Sequence, residues 1–133
     1  MAHSSIHNPK IYWVHKTHHE FNTTIALASN YSHPIEFILV SIPTLLGYKL
    51  VHPFYPVHIF TLIIWLTYRI AETCDAHSGY EWPWAQAALF PMSGGSEYHN
   101  FHHSKNAGNY CGFFKFWDCV YNTNKDFVSI KLK

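Results

Sequence analysis

Two apolar segments dominate the hydrophobic pattern of the chain. Residues 35–51 and 56–71 are almost continuously apolar, and the short aromatic sequence HPFYP connects them. As α-helices they would each be about 25 Å long, somewhat shorter than the roughly 30 Å hydrocarbon core of a bilayer. Because the two segments form a closely spaced pair, they favour a membrane hairpin over about 35–71. The alternative is a pair of buried helices in a soluble protein.

Basic residues lie mainly outside the predicted hairpin. The flanks, counted from the end of the second segment, include Lys10, Lys16, Arg69, Lys105 and Lys115. The connection and its edge contain only Lys49. Because lysine and arginine are enriched on the cytoplasmic side of membranes, both flanks are predicted to lie on the cytoplasm-like side. The second half of the chain would then return to the side of the first.

The polar flanks carry a repeated histidine motif. The motif H-x-x-H-H occurs at residues 15–19 and again at 99–103, and H-x-x-x-H occurs at 3–7. On a helix, with ~100° of rotation per residue, positions i, i+3 and i+4 lie on one face. Neutral imidazole is the commonest protein ligand for transition metals. The three clusters therefore predict a dinuclear metal site. The alternatives are surface histidine runs or a former site that has lost its metal.

The pattern as a whole predicts one all-α domain over residues 1–133. Residues 3–20 resemble an amphipathic helix with a break near Asn8 and Pro9, and the second H-x-x-H-H follows Gly94 and Gly95 at a helix start. The predicted fold is a membrane helical hairpin with a histidine-rich helical cap on the cytoplasm-like side. The histidine clusters of this cap lie at 3–19 and 77–103. The aromatic stretch 113–121 either lies on the membrane surface or forms the wall of a lipid pocket.

Composition narrows the functional classes. Charged residues make up 13% of the chain and aromatic residues 18%, a balance typical of proteins at a membrane interface. The net charge of +1 and the lack of a basic block argue against a nucleic-acid partner. The chain has neither the zinc-protease motif H-E-x-x-H nor a C-x-x-C pair, which argues against those metal sites. Its three cysteines are expected to be free thiols.

With these motifs in place, the chain resembles the fatty acid hydroxylase / sterol desaturase superfamily, and within it the 4-methylsterol oxidases. The family order is H-x-x-x-H, H-x-x-H-H, a lone histidine in an HSGY element, and a second H-x-x-H-H. All four occur here in that order. The similar stretches include HSSIHNPKIYWVHKTHHEF, ETCDAHSGYEWPW and HNFHHSKNAGNYCGFFKFWDCVYNT, so the resemblance covers residues 3 to about 123.

The resemblance implies a set of metal ligands: His3, His7, His15, His18, His19, His77, His99, His102 and His103. It leaves His33 as either a further ligand or a hydrogen-bonding partner of one. Four carboxylates are candidates, by proximity in sequence, for orienting ligand imidazoles through the second ring nitrogen: Glu20, Glu72, Asp75 and Glu97. Asp75, which is close to His77, is preferred. His52 and His58 match nothing in the family pattern and are expected to be structural or interfacial.

The resemblance also implies a function. It predicts an integral membrane oxygenase that uses two metal ions, with iron expected and zinc as a non-catalytic alternative, to oxidise a C–H bond of a sterol or fatty acyl chain. Electrons would come through a b-type cytochrome and its reductase. The expected location is the endoplasmic reticulum, and the alternative is another organelle membrane such as the mitochondrial inner membrane.

Departures from the family pattern favour a second hypothesis. Family members begin with one or two membrane helices before the first histidine pair, whereas this chain begins two residues before it. Asn100 stands where aspartate is usual, and Ser4 and Asn8 replace an arginine and a histidine. The alternative is a reduced, family-derived structural subunit of a larger membrane complex. Under either hypothesis we expect the hairpin to pack against another membrane subunit or a second copy of the chain.

Overall fold

The computed structural model describes residues 2–90 and 92–133, and the prediction of an all-α fold is confirmed in them. They form eight α-helices: α1 (Ala2–Ile6), α2 (Tyr12–His15), α3 (Pro34–Val51), α4 (Ile59–Ala76), α5 (Gln86–Leu89), α6 (Gly95–Lys105), α7 (Phe116–Val120) and α8 (Lys125–Lys131). Two 3₁₀ helices occur at His18–Glu20 and Ala26–Asn30. In the same residues the only β pairing is an isolated antiparallel bridge between Ser93 and Phe114.

The N-terminal segment is interrupted more often than the sequence predicts. The segment predicted to be helical over 3–20 becomes α1, α2 and the first 3₁₀ helix, so it has a second interruption after His15. The predicted break at Asn8 and Pro9 does occur. Pro9 has no amide proton, and the Asn8 side chain accepts a hydrogen bond from the Lys10 amide at 3.0 Å. The segment therefore folds back in short pieces, which allows histidines from different turns to converge.

The two long helices begin with the same local structure. The His33 side chain accepts a hydrogen bond from the Ile35 amide at the start of α3, and His58 accepts one from the Phe60 amide at the start of α4. Each histidine thereby satisfies an amide that has no partner within its helix. His33 is thus a helix cap and belongs to neither histidine group described below. His58 is structural, as predicted.

One helix in the described residues, α3, is long and apolar enough to cross a membrane, with a mean hydropathy of 1.4 over 18 residues. Helix α4 has the same length, but Arg69, Glu72 and Asp75 lie in its second half. Most side chains of α3 and of the first half of α4 are exposed. The apolar surfaces of both helices are therefore left uncovered by the rest of the described chain.

The ends of the long helices join the cap. Helix α2 contacts α3, while α4 contacts both α6 and the 3₁₀ helix Ala26–Asn30. Glu36 in the first turn of α3 and Glu72 near the end of α4 are both buried there. The start of α3 and the end of α4 thus meet in one histidine-rich unit, while the rest of each helix extends away from it.

Candidate metal centre

Nine histidines converge in two groups. The five-histidine group consists of His3, His7, His15, His19 and His102. The four-histidine group consists of His18, His77, His99 and His103. Within each group, one ring nitrogen from every member lies within 4.8 Å of those of the others. These are the nine residues that the family resemblance proposes as ligands. Their metal binding itself stays a prediction.

The two H-x-x-H-H motifs interlock across the groups. His15 and His19 of the first motif belong to the five-histidine group, whereas His18 belongs to the other. The second motif does the reverse: His99 and His103 join the four-histidine group and His102 joins the five-histidine group. Each motif thus supplies both groups, with its i, i+4 pair in one and its i+3 member in the other. Each copy of the motif therefore contributes to two adjacent groups. A helix face shared by all three histidines would contribute to one group only.

Ring nitrogens face each other at short distances. In the five-histidine group, Nε2 of His15 lies 3.0 Å from Nε2 of both His3 and His19. In the four-histidine group, Nε2 of His77 lies 3.2 Å from that of His18 and 3.0 Å from that of His99. Nitrogen ligands about 2.1 Å from a metal lie roughly 3.0–3.4 Å apart in octahedral or tetrahedral arrangements. The observed separations match those between ligands of one ion.

The second ring nitrogen, Nδ1, defines the tautomer of several of these histidines. A carbonyl oxygen can only accept, so an Nδ1 that is bound to one must carry the proton. Five members donate from Nδ1 to a backbone carbonyl: His3 to Tyr110, His18 to Tyr31, His77 to Thr73, His102 to Gly108 and His103 to Phe21, over 2.6–3.2 Å. Their Nε2 atoms therefore turn lone pairs towards the centre of each group.

Burial favours the neutral form of several of these imidazoles. It lowers the pKa of His7 and His77 from 6.5 to about 4, and that of His103 to about 3. Burial also lowers the pKa of His3 and His99 well below the usual range, and charge repulsion from neighbouring histidines adds to the effect. Neutral imidazole is the form that binds metals.

The residues therefore fit two metal ions. Nε2 of His18 and Nε2 of His77 both present lone pairs, since each ring carries its proton on Nδ1. Two lone pairs facing each other at 3.2 Å repel unless a cation lies between them. The all-nitrogen donor set suits iron, zinc or copper better than magnesium or calcium, which prefer oxygen.

Glu36 is the carboxylate that binds His15 of the five-histidine group, and the sequence did not identify it. Nδ1 of His15 donates to Oε1 of Glu36 at 2.6 Å, and both side chains are buried. A carboxylate in this position fixes the ring and makes the opposite nitrogen a stronger donor to a metal. The signal in the sequence was Glu36 itself, an acidic residue near the start of a mostly apolar segment. A carboxylate buried there needs a partner.

Of the four carboxylates proposed from the sequence, Glu72 pairs with Arg69 and Glu97 with Lys131. Glu20 accepts a hydrogen bond from the Tyr31 hydroxyl at 2.9 Å. Asp75 is close to His77 in sequence, but Nδ1 of His77 donates to the Thr73 carbonyl at 2.8 Å. The prediction that Asp75 orients His77 is therefore wrong, because the helix supplies a carbonyl four residues earlier. Neither Glu20 nor Asp75 belongs to the two histidine groups.

The amino-acid sequence is also similar to known proteins. The profile of the family described as fatty acid hydroxylase matches residues 1–123.

The chain belongs to the fatty acid hydroxylase family.

Its relatives include a very-long-chain aldehyde decarbonylase of Oryza sativa subsp. indica, 38% identical over 98% of this chain and 49% of the relative. They also include methylsterol monooxygenase 2-2 of Arabidopsis thaliana, 35% identical over 98% of this chain and 49% of the relative. A putative methylsterol monooxygenase of Dictyostelium discoideum is 34% identical over 98% of this chain and 47% of the relative. The chain thus spans about half the length of these relatives. No solved structure gave a significant match.

Proposed function

We propose that the protein is the histidine-rich domain of a membrane oxygenase that oxidises a C–H bond of a sterol or fatty acyl chain. The observation that carries the proposal is the convergence of nine histidines into two adjacent groups. The five-histidine group would hold one iron ion and the four-histidine group the other. Iron would supply the activation of dioxygen, since it changes oxidation state among nitrogen ligands whereas zinc does not.

The reaction class sets the requirements on the protein. Hydroxylation places one oxygen atom of O₂ into the C–H bond and releases the other as water, and it consumes two electrons and two protons. The electrons would come from a b-type cytochrome and its reductase. The chain's own contribution would be to hold neutral ligands in fixed tautomers and to exclude water from them. Seven of the nine histidines are buried, which suits that role.

A cavity beside the five-histidine group supports an apolar substrate. It has a volume of about 760 Å³, and His3 and Tyr110 lie in its wall. Its other side chains are mainly aromatic: Phe113, Phe114, Phe116, Trp117 and Tyr121. An aromatic wall next to the ligands favours a lipid-like molecule. The names of the relatives suggest two probes, a methylsterol and a very-long-chain aldehyde.

We further propose that residues 35–71 form a membrane hairpin with both ends on the cytoplasm-like side. The exposed apolar surfaces of α3 and α4 support this, because water would make such surfaces costly. The hydrogen bond from His15 to Glu36 holds the start of α3 at the five-histidine group, and His77 at the end of α4 lies in the four-histidine group. A shared cap requires both ends on one side of the bilayer.

The hairpin proposal is testable by labelling. Asn22 and Ser104 are exposed and lie on opposite sides of the hairpin in sequence. Single cysteines at these positions, in a chain whose native cysteines are replaced by serine, should react with a membrane-impermeant maleimide from the same face of sealed vesicles. Labelling from opposite faces would refute the topology. A partner subunit or second copy on the apolar faces should appear as a larger mass after mild detergent extraction.

The metal proposal is tested on the full chain purified in detergent. Metal analysis should find two iron ions in the native protein, and the variant H18A/H102A, which alters both groups, should lose them. The matched control is H58N, which changes a histidine outside the groups and keeps an acceptor for the start of α4. Full occupancy in H18A/H102A would refute the proposal.

Catalysis is tested separately from metal binding. Oxygen uptake in the presence of a reductant should rise when a methylsterol or a very-long-chain aldehyde is added, and the hydroxylated or shortened product should accumulate. A metal-loaded protein that consumes no oxygen with either probe would support the structural subunit hypothesis instead. The expected location in the endoplasmic reticulum or another organelle membrane is checked by imaging the tagged protein in its own cells.

A further inference from the structure

The loop between α6 and α7 contributes two carbonyl groups to the five-histidine group. The Gly108 carbonyl accepts a hydrogen bond from Nδ1 of His102 at 2.6 Å. The Tyr110 carbonyl accepts one from Nδ1 of His3 at 2.8 Å. Two peptide units of a single short loop thus orient two of the five histidines.

The N–H groups of these two peptide units also form hydrogen bonds. The Cys111 amide, in the same peptide unit as the Tyr110 carbonyl, donates to Oδ2 of Asp118 at 2.8 Å. The Asn109 amide, in the same unit as the Gly108 carbonyl, donates to the Thr123 carbonyl at 3.2 Å. In a planar trans peptide the N–H and C=O point in opposite directions. Each unit therefore lies between a histidine and a fixed acceptor.

Asp118 supplies one of these acceptors and fixes the residue that supplies the other. Its side chain is buried, with 3% exposure, and it accepts four hydrogen bonds, from the Tyr98 hydroxyl, the Thr123 hydroxyl and the amides of Tyr110 and Cys111. Its own carbonyl accepts from the Thr123 amide at 2.9 Å, which fixes the residue that holds the Asn109 amide.

Close packing explains why glycine occupies position 108. Gly108 has a φ of +72°, and a Cβ atom there would lie 2.5 Å from the Thr123 carbonyl oxygen. Only glycine allows the loop to approach Thr123 so closely in this conformation. The loop is therefore built to bring one peptide unit between Asp118 and His3 and the other between the Thr123 carbonyl and His102.

We propose that Asp118 is a positioning residue for the five-histidine group, acting on His3 through the peptide unit of Tyr110 and Cys111. A carboxylate on the N–H of a peptide polarises it, so its carbonyl becomes a stronger acceptor. The hydrogen bond from Nδ1 of His3 to this carbonyl is then stronger, and the lone pair on Nε2 becomes a better donor to a metal. The effect of Asp118 on metal binding rests on the proposed function, whereas its effect on the orientation of His3 does not.

The four-histidine group provides an internal reference. Nδ1 of His77 donates to the Thr73 carbonyl over 2.8 Å, the same distance as from His3 to Tyr110. The Thr73 carbonyl belongs to helix α4, where neighbouring peptides supply the hydrogen bonds. The two hydrogen bonds thus have the same donor atom, acceptor type and distance. They differ in two respects: a carboxylate lies behind the Tyr110 peptide, and the Thr73 carbonyl also accepts from the His77 amide at 3.2 Å.

The first experiment needs no metal. In the metal-free full chain in detergent micelles, NMR of ¹⁵N-labelled histidines should place the Nδ1 proton of His3 further downfield than that of His77. In D118N the His3 signal should move towards that of His77, while the His77 signal stays. An upfield or equal His3 signal in the wild type would overturn the proposal, even if D118N does not fold.

Two controls separate this effect from a purely structural role. Y98F removes one hydrogen bond to Asp118 but keeps its charge, and D126N removes an exposed carboxylate. Both should leave the His3 signal close to the wild type, even where Y98F lowers the melting temperature. A shift in Y98F as large as in D118N would mean that Asp118 acts through packing alone, and would overturn the proposal.

The second experiment uses Co²⁺ alone as the probe. Absorption titrations of the wild type should show two binding steps, and D118N should weaken one of them by roughly 10-fold while the other stays unchanged. Equal weakening of both steps would contradict an action confined to the five-histidine group. A wild type that binds no Co²⁺ would contradict the proposed function, and the His3 signal of the metal-free protein would still decide the role of Asp118.

Discussion

The cap and the two long helices have opposite distributions of polar and apolar residues. In the cap, His15, His102 and His103 are almost completely buried. In α3, apolar side chains such as Phe37 and Leu46 are half exposed or more. Water-soluble folds bury apolar residues and expose polar ones. The contrast shows that the described fold buries polar side chains in the cap and leaves apolar ones uncovered on the two long helices.

The cap has little apolar interior of its own. Among the described residues, the buried hydrophobic side chains are Val14, Ala28, Ala76, Ala85 and Tyr98. Three of these are alanines, which contribute little apolar area. Seven of the buried side chains are instead imidazoles, whose ring nitrogens need partners. Hydrogen bonds and metal ligation should therefore contribute more to the stability of the cap than hydrophobic burial does.

Metal removal is the strongest way to test this contrast. Chelation should destabilise the cap by about 4 kcal/mol for each site that was held at 1,000 times its Kd. The helicity of α3 and α4 should change little, because detergent or lipid and not metal stabilises them. Thermal unfolding followed by near-UV circular dichroism, before and after chelation, measures the loss. An unchanged melting temperature would contradict a metal-stabilised cap.

Acid should have a related effect on the metal-free protein. The pKa values of His7 and His77 fall from 6.5 to about 4 on folding, so the unfolded chain binds more protons between these values. Their contribution to stability is complete above about pH 6.5 and is lost as the pH falls towards 4. Denaturant titrations at several pH values test this window. Stability that rises as the pH falls from 6.5 to 4 would contradict it.

Glu36 links the two regions, so its substitution should affect both. E36Q keeps the shape of the side chain but removes the charge opposite His15, and a hydrogen bond to a charged group contributes roughly 1.5–3 kcal/mol. We expect the affinity of one metal site to fall roughly 10-fold. The control is E20Q, which changes an exposed carboxylate that contacts Tyr31. Equal metal affinities of the two variants would rule out a role for Glu36 in holding His15.

The same substitution in the two regions should have different effects. Val14 in the cap is 6% exposed, whereas Val40 in α3 is 55% exposed. V14A should lower the free energy of unfolding of the cap by roughly 1–3 kcal/mol, and V40A by less than about 0.5 kcal/mol. Chemical denaturation of both variants in the same detergent compares them. A large loss in V40A would mean that α3 packs within the cap unit.

Eight of the nine histidines could be proposed as ligands from their spacing, and His77 from the family resemblance. The assignment of each histidine to a group could not, since it depends on how the motifs interlock. A single shared face suggests that His15, His18 and His19 act together, but His18 lies in the other group. The orienting carboxylate was missed for a similar reason. Asp75 is near His77 in sequence, whereas Glu36 reaches His15 across 21 residues.

The role of Asn100 also depends on a contact that the sequence does not reveal. It stands where the family pattern usually has aspartate, and this favoured a loss of function. In the structure its Oδ1 accepts hydrogen bonds from the amide and hydroxyl of Thr24. Asn100 thus ties α6 to the segment that follows the first motif and takes no part in either histidine group. An amide oxygen serves that role as well as a carboxylate does.

The sequence by itself determined the all-α class, the two apolar helices and the residue types of the metal centre. Those features depend on local periodicity and on the chemistry of single side chains. Only the tertiary structure decided which histidines share a group, that Glu36 supports His15, and that Asp118 lies behind the peptide that orients His3. These are contacts between residues distant in sequence. Their partners are selected by how α3, α4, α6 and the loop before α7 pack around the buried imidazoles.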